Sequence, residues 1–257
     1  MTTITTTYPI PDIEAPLPMV AERRAWGFWA TLGWFGAAVA SHFAVVILFG
    51  LGFMIWWLVN RGNLDVGTVP PTLEYIIIVL SMLAPALLLT LAARRAGPSA
   101  QGYLGLTMPA KRHILIGVGL TAAYWCMGAV FFHLFPAFDQ TPELIREYRS
   151  LIGNPSALTM YWITMVVSAP VLEEIIFRGF LMRGWSETRL GAVGAIVLSS
   201  LLFAAIHQQY TLLNIGFVLL LGLLLGVMRW RSGSTVLTIM LHAAWNFTSV
   251  TWFALQA

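Results

Sequence analysis

The sequence predicts an all-α protein, a polytopic bundle of about seven transmembrane helices. Three observations carry this. Of 257 residues, 58% are hydrophobic and only 10% are charged, against about 25% charged in an ordinary soluble domain. The mean hydropathy is +0.79. The apolar residues gather into long stretches that are apolar all round, without the in-out alternation that barrel strands need. Charge this sparse cannot coat a globule in water, so the surplus apolar surface must face lipid. A disordered chain, a coiled coil, a secreted disulfide scaffold and an ordinary cytosolic enzyme are excluded. The single cysteine, Cys126, permits no intramolecular disulfide and no CxxC metal site. Its place inside an apolar stretch predicts a small buried hydrophobe.

Residues 1–25 are polar, rich in Thr and Pro, and close on Glu22-Arg23-Arg24. They lack the basic start, short apolar core and cleavage site of a secretory signal, so they read as a flexible cytoplasmic tail. Residues 26–257 read as a single transmembrane domain, without internal repeat or long linker. The first apolar stretch, 26–59, exceeds the ~20 residues that a span needs, so it tilts or begins with an interfacial turn. Further stretches run over 73–93, 114–135, 157–182, 190–206, 212–228 and 236–255. Pro85 and Pro170 fall inside spans, where membrane helices tolerate them. Trp and Tyr near the ends, such as Trp26, Trp57, Tyr161 and Trp230, suit an interfacial aromatic belt. Between the third and fourth spans, Thr141-Pro142-Glu143 reads as an N-cap followed by proline at the first helical position. A short surface helix is expected over 143–151.

Charge sets the orientation. With seven spans, one side receives ten basic residues, Arg23, Arg24, Arg94, Arg95, Lys111, Arg112, Arg183, Arg189, Arg229 and Arg231. The other receives three, Arg61, Arg146 and Arg149. This bias places the N-terminus in the cytoplasm. The net charge of +3 and pI of about 9.3 do not indicate nucleic acid. The basic residues are scattered in ones and twos, and no basic run interleaves with aromatics.

The chemistry lies in ionisable residues inside the spans. Glu173 and Glu174 occupy the fourth, in Leu172-Glu173-Glu174-Ile175-Ile176-Phe177-Arg178. A charge at mid-membrane costs several kcal/mol and so marks function by default. Arg178 follows Glu174 by four residues, on one face and in the favourable order, so Glu174 and Arg178 read as an internal pair. Glu173 is left as the unpaired carboxylate and candidate general base. Adjacent helical residues point ~100° apart, so the two carboxylates are not expected to share a partner. His207 ends the fifth span, and His242 and Asn246 lie four apart on one face of the seventh. One Glu, two His and one Asn from three spans can converge on a bundle interior. His42 and His133, without acidic neighbours in sequence, read as interhelical hydrogen bonders, and His113 beside Arg112 as interfacial.

The set Glu173-Glu174-x-x-x-Arg178, Phe203-x-x-x-His207 and His242-x-x-x-Asn246 resembles the CPBP family. That family contains CAAX prenyl protease type 2 and bacteriocin-processing intramembrane proteases. Order, spacing and placement in consecutive apolar helices all match, over about 157–247. The resemblance implies an integral, multi-pass membrane endopeptidase, expected in a bacterial plasma membrane, with a water-filled interior site. It implies that Glu173 and His207 activate water, and that His242 and Asn246 polarise the scissile carbonyl as an oxyanion site. Glu174 and Arg178 would support the geometry. Its members include some called metalloproteases and some argued to work with Glu and His alone. If a metal is used, Glu173, His207 and His242 offer Zn²⁺ two His and one carboxylate with a position left open. The implied partners are membrane lipid and a peptide or protein substrate, prenylated or plain.

Other intramembrane protease designs fit poorly. The sequence has no HExxH, no GxSG and no GxGD. The alternative is a non-proteolytic immunity or scaffold protein, or a small proton-coupled carrier using the buried Glu and His. Unequal spans without a visible repeat argue against a repeat-built transporter. One tension stands in this reading. If every helix is straight and full-length, His242 and His207 fall towards opposite faces of the membrane and cannot meet.

Overall fold

The computed structural model describes residues 25–59, 69–97 and 99–257. The tail expected over 1–25, apart from Ala25, lies outside the described residues, as do Arg23, Arg24 and Arg61 of the charge count. Among the described residues the chain is predominantly helical, with no strand. Each of the seven apolar stretches forms a helix. These are α1 (Phe28–Val59), α2 (Pro71–Ala96), α4 (Lys111–Leu134), α6 (155–186), α7 (Gly191–Ala205), α8 (Leu212–Ser232) and α9 (Thr235–Gln256). Two shorter helices, α3 (Ala100–Leu104) and α5 (Thr141–Leu151), lie between them. By length and apolarity α1, α2, α4 and α8 can each cross a membrane unaided. The fold is an all-α membrane bundle.

The packing is that of a chain solvated by lipid. Of the 32 residues of α1, only Thr31 and Ala38 are buried against protein. Phe43, Ile47, Leu48 and Leu58 point outward. Apolar side chains on the outer surface are a liability in water and the solvation required in hydrocarbon. Cys126 follows this rule and corrects the sequence expectation: it is exposed on α4, not buried. An apolar position in a span predicts contact with lipid as readily as contact with core.

α6 is the central helix. It packs against α2, α7 and α9, with further contacts to α3, α5 and α8. Its C-terminal half buries Phe177, Phe180, Leu181 and Trp185 against Leu89, Ala92 and Ala93 of α2 and Leu104 of α3. At the other end Tyr161 meets Tyr75 of α2 and Tyr148 of α5 edge-on, at 5.5 and 5.7 Å. Asn154 caps this helix, accepting from the Ala157 N–H at 3.1 Å, with Pro155 at its start. The cap of α5 differs from the expectation at Thr141. Helix begins at Thr141, whose N–H donates to the Asp139 carboxylate at 2.8 Å. Asp139 lies one residue before the N-cap Gln140, so the bond is an Asx turn into the helix, and its charge also suits the helix N-terminus.

The α8–α9 turn is tied to the loop after α3. The Thr235 N–H donates to Gly105 O at 2.8 Å, and the Arg229 Nε–H donates to Thr235 Oγ1 at 2.8 Å. Gly105 closes α3 in the left-handed region, at φ 65°. A Cβ there would overlap the Arg229 guanidinium. Backbone cost of about 1–2 kcal/mol for the left-handed conformation therefore adds to a clash in Gly105→Ala. The variant is expected to lose about 2 kcal/mol or more of stability, read by denaturant unfolding in detergent.

Candidate active site

The site is built on two departures from α geometry within α6. Ile163–Ser168 and Ile175–Leu181 are π-helical, and between them Ala169–Glu174 is α-helical and carries both glutamates. Pro170 supplies a cause for the first. It has no N–H and its ring crowds the carbonyl four residues earlier, so widening the preceding turn relieves the clash. π segments free backbone carbonyls and recur at functional sites. Here the Met165 carbonyl accepts from Asn246 Nδ2 of α9 at 2.7 Å. The sequence reading foresaw no π turn, although Pro170 just before the glutamates was the signal.

The expected Glu174–Arg178 pair forms, Nη1 to Oε1 at 2.7 Å, with both side chains fully buried. Arg178 Nη2 also donates to Gly222 O of α8 at 3.0 Å, and its guanidinium lies 4.4 Å from the Phe203 ring centroid. A charge pair this deep persists because each group neutralises the other, with Glu174 Oε1 and two Arg178 nitrogens hydrogen-bonded, although Glu174 Oε2 and Arg178 Nε have no partner. Glu174 Oε1 further accepts from His242 Nδ1 at 3.1 Å. A carboxylate can only accept, so Nδ1 carries the proton and the other ring nitrogen faces away. That nitrogen, Nε2, stands 3.9 Å from Glu173 Oε2. The two adjacent carboxylates thus share His242 after all, which corrects the expectation. An imidazole presents nitrogens on two edges, and ~100° between neighbouring helix positions is bridged by its width.

His207 and Asn246 join the wall of the same cavity without bonding to the glutamates. The cavity has a volume of about 1000 Å³, and Glu173, Phe203, His207, His242 and Asn246 all line it. His207 Nδ1 donates to Phe203 O at 2.8 Å, which leaves Nε2 as a lone-pair acceptor. The Phe203 ring lies between the two histidines, 4.8 Å from His207 and 5.7 Å from His242. α7 resolves the depth conflict. It has 15 residues, ~22 Å of helix against ~30 Å of hydrocarbon. It is shorter than a full span, and His207, just beyond its end, lines the cavity together with His242. Of the remaining histidines, His42 Nδ1 donates to Ser81 O of α2 at 3.1 Å, the interhelical bond expected of it. His133 differs from that expectation: it is exposed and lines the cavity mouth.

Residues outside the sequence motifs complete the wall. Tyr210 stacks on His207, with centroids 6.0 Å apart and planes 15° apart. The Thr211 N–H donates to Gln140 Oε1 at 2.7 Å, and Asn214 Nδ2 to Phe138 O at 3.1 Å. The loop that carries His207 is therefore braced by the loop before α5. No short motif advertises Thr211 and Asn214, since each is defined by a partner more than 70 positions away. Among the described residues no three His, Cys, Asp or Glu side chains are grouped so that they could hold a metal ion. Glu173, His207 and His242 are not grouped as a metal ligand set in this arrangement.

Comparison with known proteins places this geometry in context. Residues 155–248 match the family model of the Rce1-like type II CAAX prenyl endopeptidases. The segment from α6 to most of α9 is Rce1-like. It contains every residue of the motif set and agrees with the resemblance read from the sequence. A stretch of 83 residues is 37% identical to an uncharacterized 24.3 kDa protein of Escherichia coli. That match covers 31% of this chain and 38% of the relative's length. No solved structure matches. The Rce1-like segment and the apolar helices mark an integral membrane protein, and the matched family model is one of prenyl endopeptidases.

Proposed function

We propose that this chain is an intramembrane endopeptidase of the CAAX prenyl protease type 2 kind, which hydrolyses a peptide bond with water activated by Glu173 and His207. The observation that carries the reading is the gap between Glu173 Oε2 and His242 Nε2. At 3.9 Å it is too long for a hydrogen bond and suits two groups that share a small third one. The gap opens on a cavity large enough for a peptide segment.

In this mechanism Glu173 accepts a proton from a water molecule oriented by the free Nε2 of His207. The oxygen attacks the carbonyl carbon, and the carbonyl oxygen takes up negative charge. Asn246, with one amide N–H on Met165 O, turns its second N–H to that oxygen. His242 acts here in its doubly protonated form: Nδ1–H stays on Glu174, which with Arg178 holds the ring in place, and Nε2–H is the second donor. Collapse breaks the C–N bond, and the proton on Glu173 passes to the leaving amine. The substrate is read as a peptide or protein reached from the membrane, prenylated or plain. The charge bias of the loops supports a cytoplasmic N-terminus, and a bacterial plasma membrane is part of the proposal.

Hydrolysis is tested by incubating the purified protein in H₂¹⁸O with a peptide library. A new carboxyl terminus carrying ¹⁸O is the expected product, and an unaltered library contradicts the reading. Asn246→Ala removes one oxyanion donor and is expected to lower kcat about 10²–10³-fold, with KM changed far less. Loss in KM alone would assign Asn246 to ground-state binding.

A further inference from the structure

The cavity continues past the proposed hydrolytic centre. Along α6 its wall runs from Glu173 back through Thr164 to Tyr161, ~13 Å between Glu173 and Thr164 at 1.5 Å per residue. At that far end it meets α5 at Glu147. Three features of the cavity wall suit a cation.

The first is charge. The wall includes the carboxylates of Asp139, Glu147 and Glu173 and no Lys or Arg. Glu147 forms no ion pair among the described residues. Its contact is the Tyr75 hydroxyl, which donates at 3.4 Å. The arginines that flank it on α5 are engaged elsewhere, Arg146 with Glu143 at 2.8 Å and Arg149 with Gln256 O. The second is Thr164. The residue is 1% exposed, lines the cavity, and its hydroxyl has no hydrogen-bond partner. A buried hydroxyl left without a partner costs about 1–3 kcal/mol, so a group entering the cavity is the natural recipient. The third is an aromatic wall. Tyr161 and Tyr210 line the same cavity as Glu147 and Glu173, and Tyr161 packs on Tyr75, whose hydroxyl donates to Glu147. Ring faces beside an anion favour a cation. Carboxylates without a Lys or Arg beside them concentrate cations at their end of a cavity.

We propose that Glu147, Tyr161 and Thr164 form a second subsite, which takes a cationic side chain of the substrate. Guanidinium fits it best, since it can accept a carboxylate, lie on an aromatic ring and donate to a hydroxyl at once. The ~13 Å offset corresponds to about four residues of extended chain at ~3.3 Å each, so the cation sits about four positions from the cleaved bond. The inference rests on the proteolytic reading, but its test separates the two.

The probe is a set of labelled decapeptides in which arginine or citrulline occupies each position in turn. Citrulline keeps the shape and removes the charge. For wild-type protein kcat/KM is expected to favour arginine about fivefold at one position, about four from the cut. In Glu147→Gln the ratio is expected to fall towards one. Glu143→Gln, on the exposed pair with Arg146, is expected to leave the ratio as in wild type. Binding of the same peptides to Glu173→Gln protein, read by fluorescence anisotropy, needs no turnover. Arginine preferred in binding and lost in the additional Glu147→Gln substitution supports the subsite even if no peptide is cut. Equal binding of arginine and citrulline at every position, or a preference that Glu147→Gln leaves intact, overturns it whether or not hydrolysis is seen.

Discussion

Arg178→Met is expected to cost about 3–5 kcal/mol of stability, the loss typical when one member of a buried charge pair is removed. Methionine fills much of the same volume but leaves Glu174 fully buried with only His242 as a polar partner. It also leaves the Gly222 carbonyl without its donor and ends the contact of the guanidinium with Phe203. The expected measurement is equilibrium unfolding in detergent, monitored by circular dichroism. Glu174→Gln combined with Arg178→Met removes the stranded charge and should recover part of the loss. Arg178→Lys should recover less, because an ammonium cannot fork between Glu174 and Gly222 as a guanidinium does. Stability of Arg178→Met within about 0.5 kcal/mol of wild type, the range of an ordinary surface substitution, would show that the pair does not hold the helices together.

Glu173→Gln should abolish hydrolysis while leaving the fold intact. The substitution keeps size and shape, and Glu173 makes no ion pair closer than the 3.9 Å approach to His242. What it removes is the proton acceptor. A positioned general base contributes about 10²–10⁴ in rate, so kcat should fall by that order, while the unfolding transition moves little. The adjacent Glu174→Gln should behave differently. It loosens Arg178 and His242 together, so rate and stability should fall in the same variant. The contrast between neighbours tests the division of labour that one shared imidazole imposes.

Much of this was legible in the sequence because lipid simplifies the reading. The seven apolar stretches became helices with ends shifted by a few residues, and the short helix before the fourth lay where Thr141-Pro142 placed it. The i,i+4 spacing of Glu174 and Arg178 fixed their pair directly, since both lie on one helix. Relations between helices were less legible. That Glu173 and Glu174 meet one histidine depends on where α9 crosses α6 and on the π turns around them. The helix rule of ~100° per residue pointed the other way. Cys126 was misplaced because hydrophobicity alone does not distinguish the lipid face from the protein face. Tyr210, Thr164 and Glu147 were not foreseen, since each gains meaning from the cavity rather than from a motif.

The central claim is that Glu173 drives hydrolysis of a peptide bond, and the most direct measurement compares protein termini in living membranes. Cells that express wild-type protein or Glu173→Gln at equal levels are fractionated, and carboxyl termini in the membrane fraction are catalogued by mass spectrometry. The account predicts at least one terminus produced by wild-type protein and missing with Glu173→Gln. Identical termini in the two membranes, with both proteins folded, would contradict it.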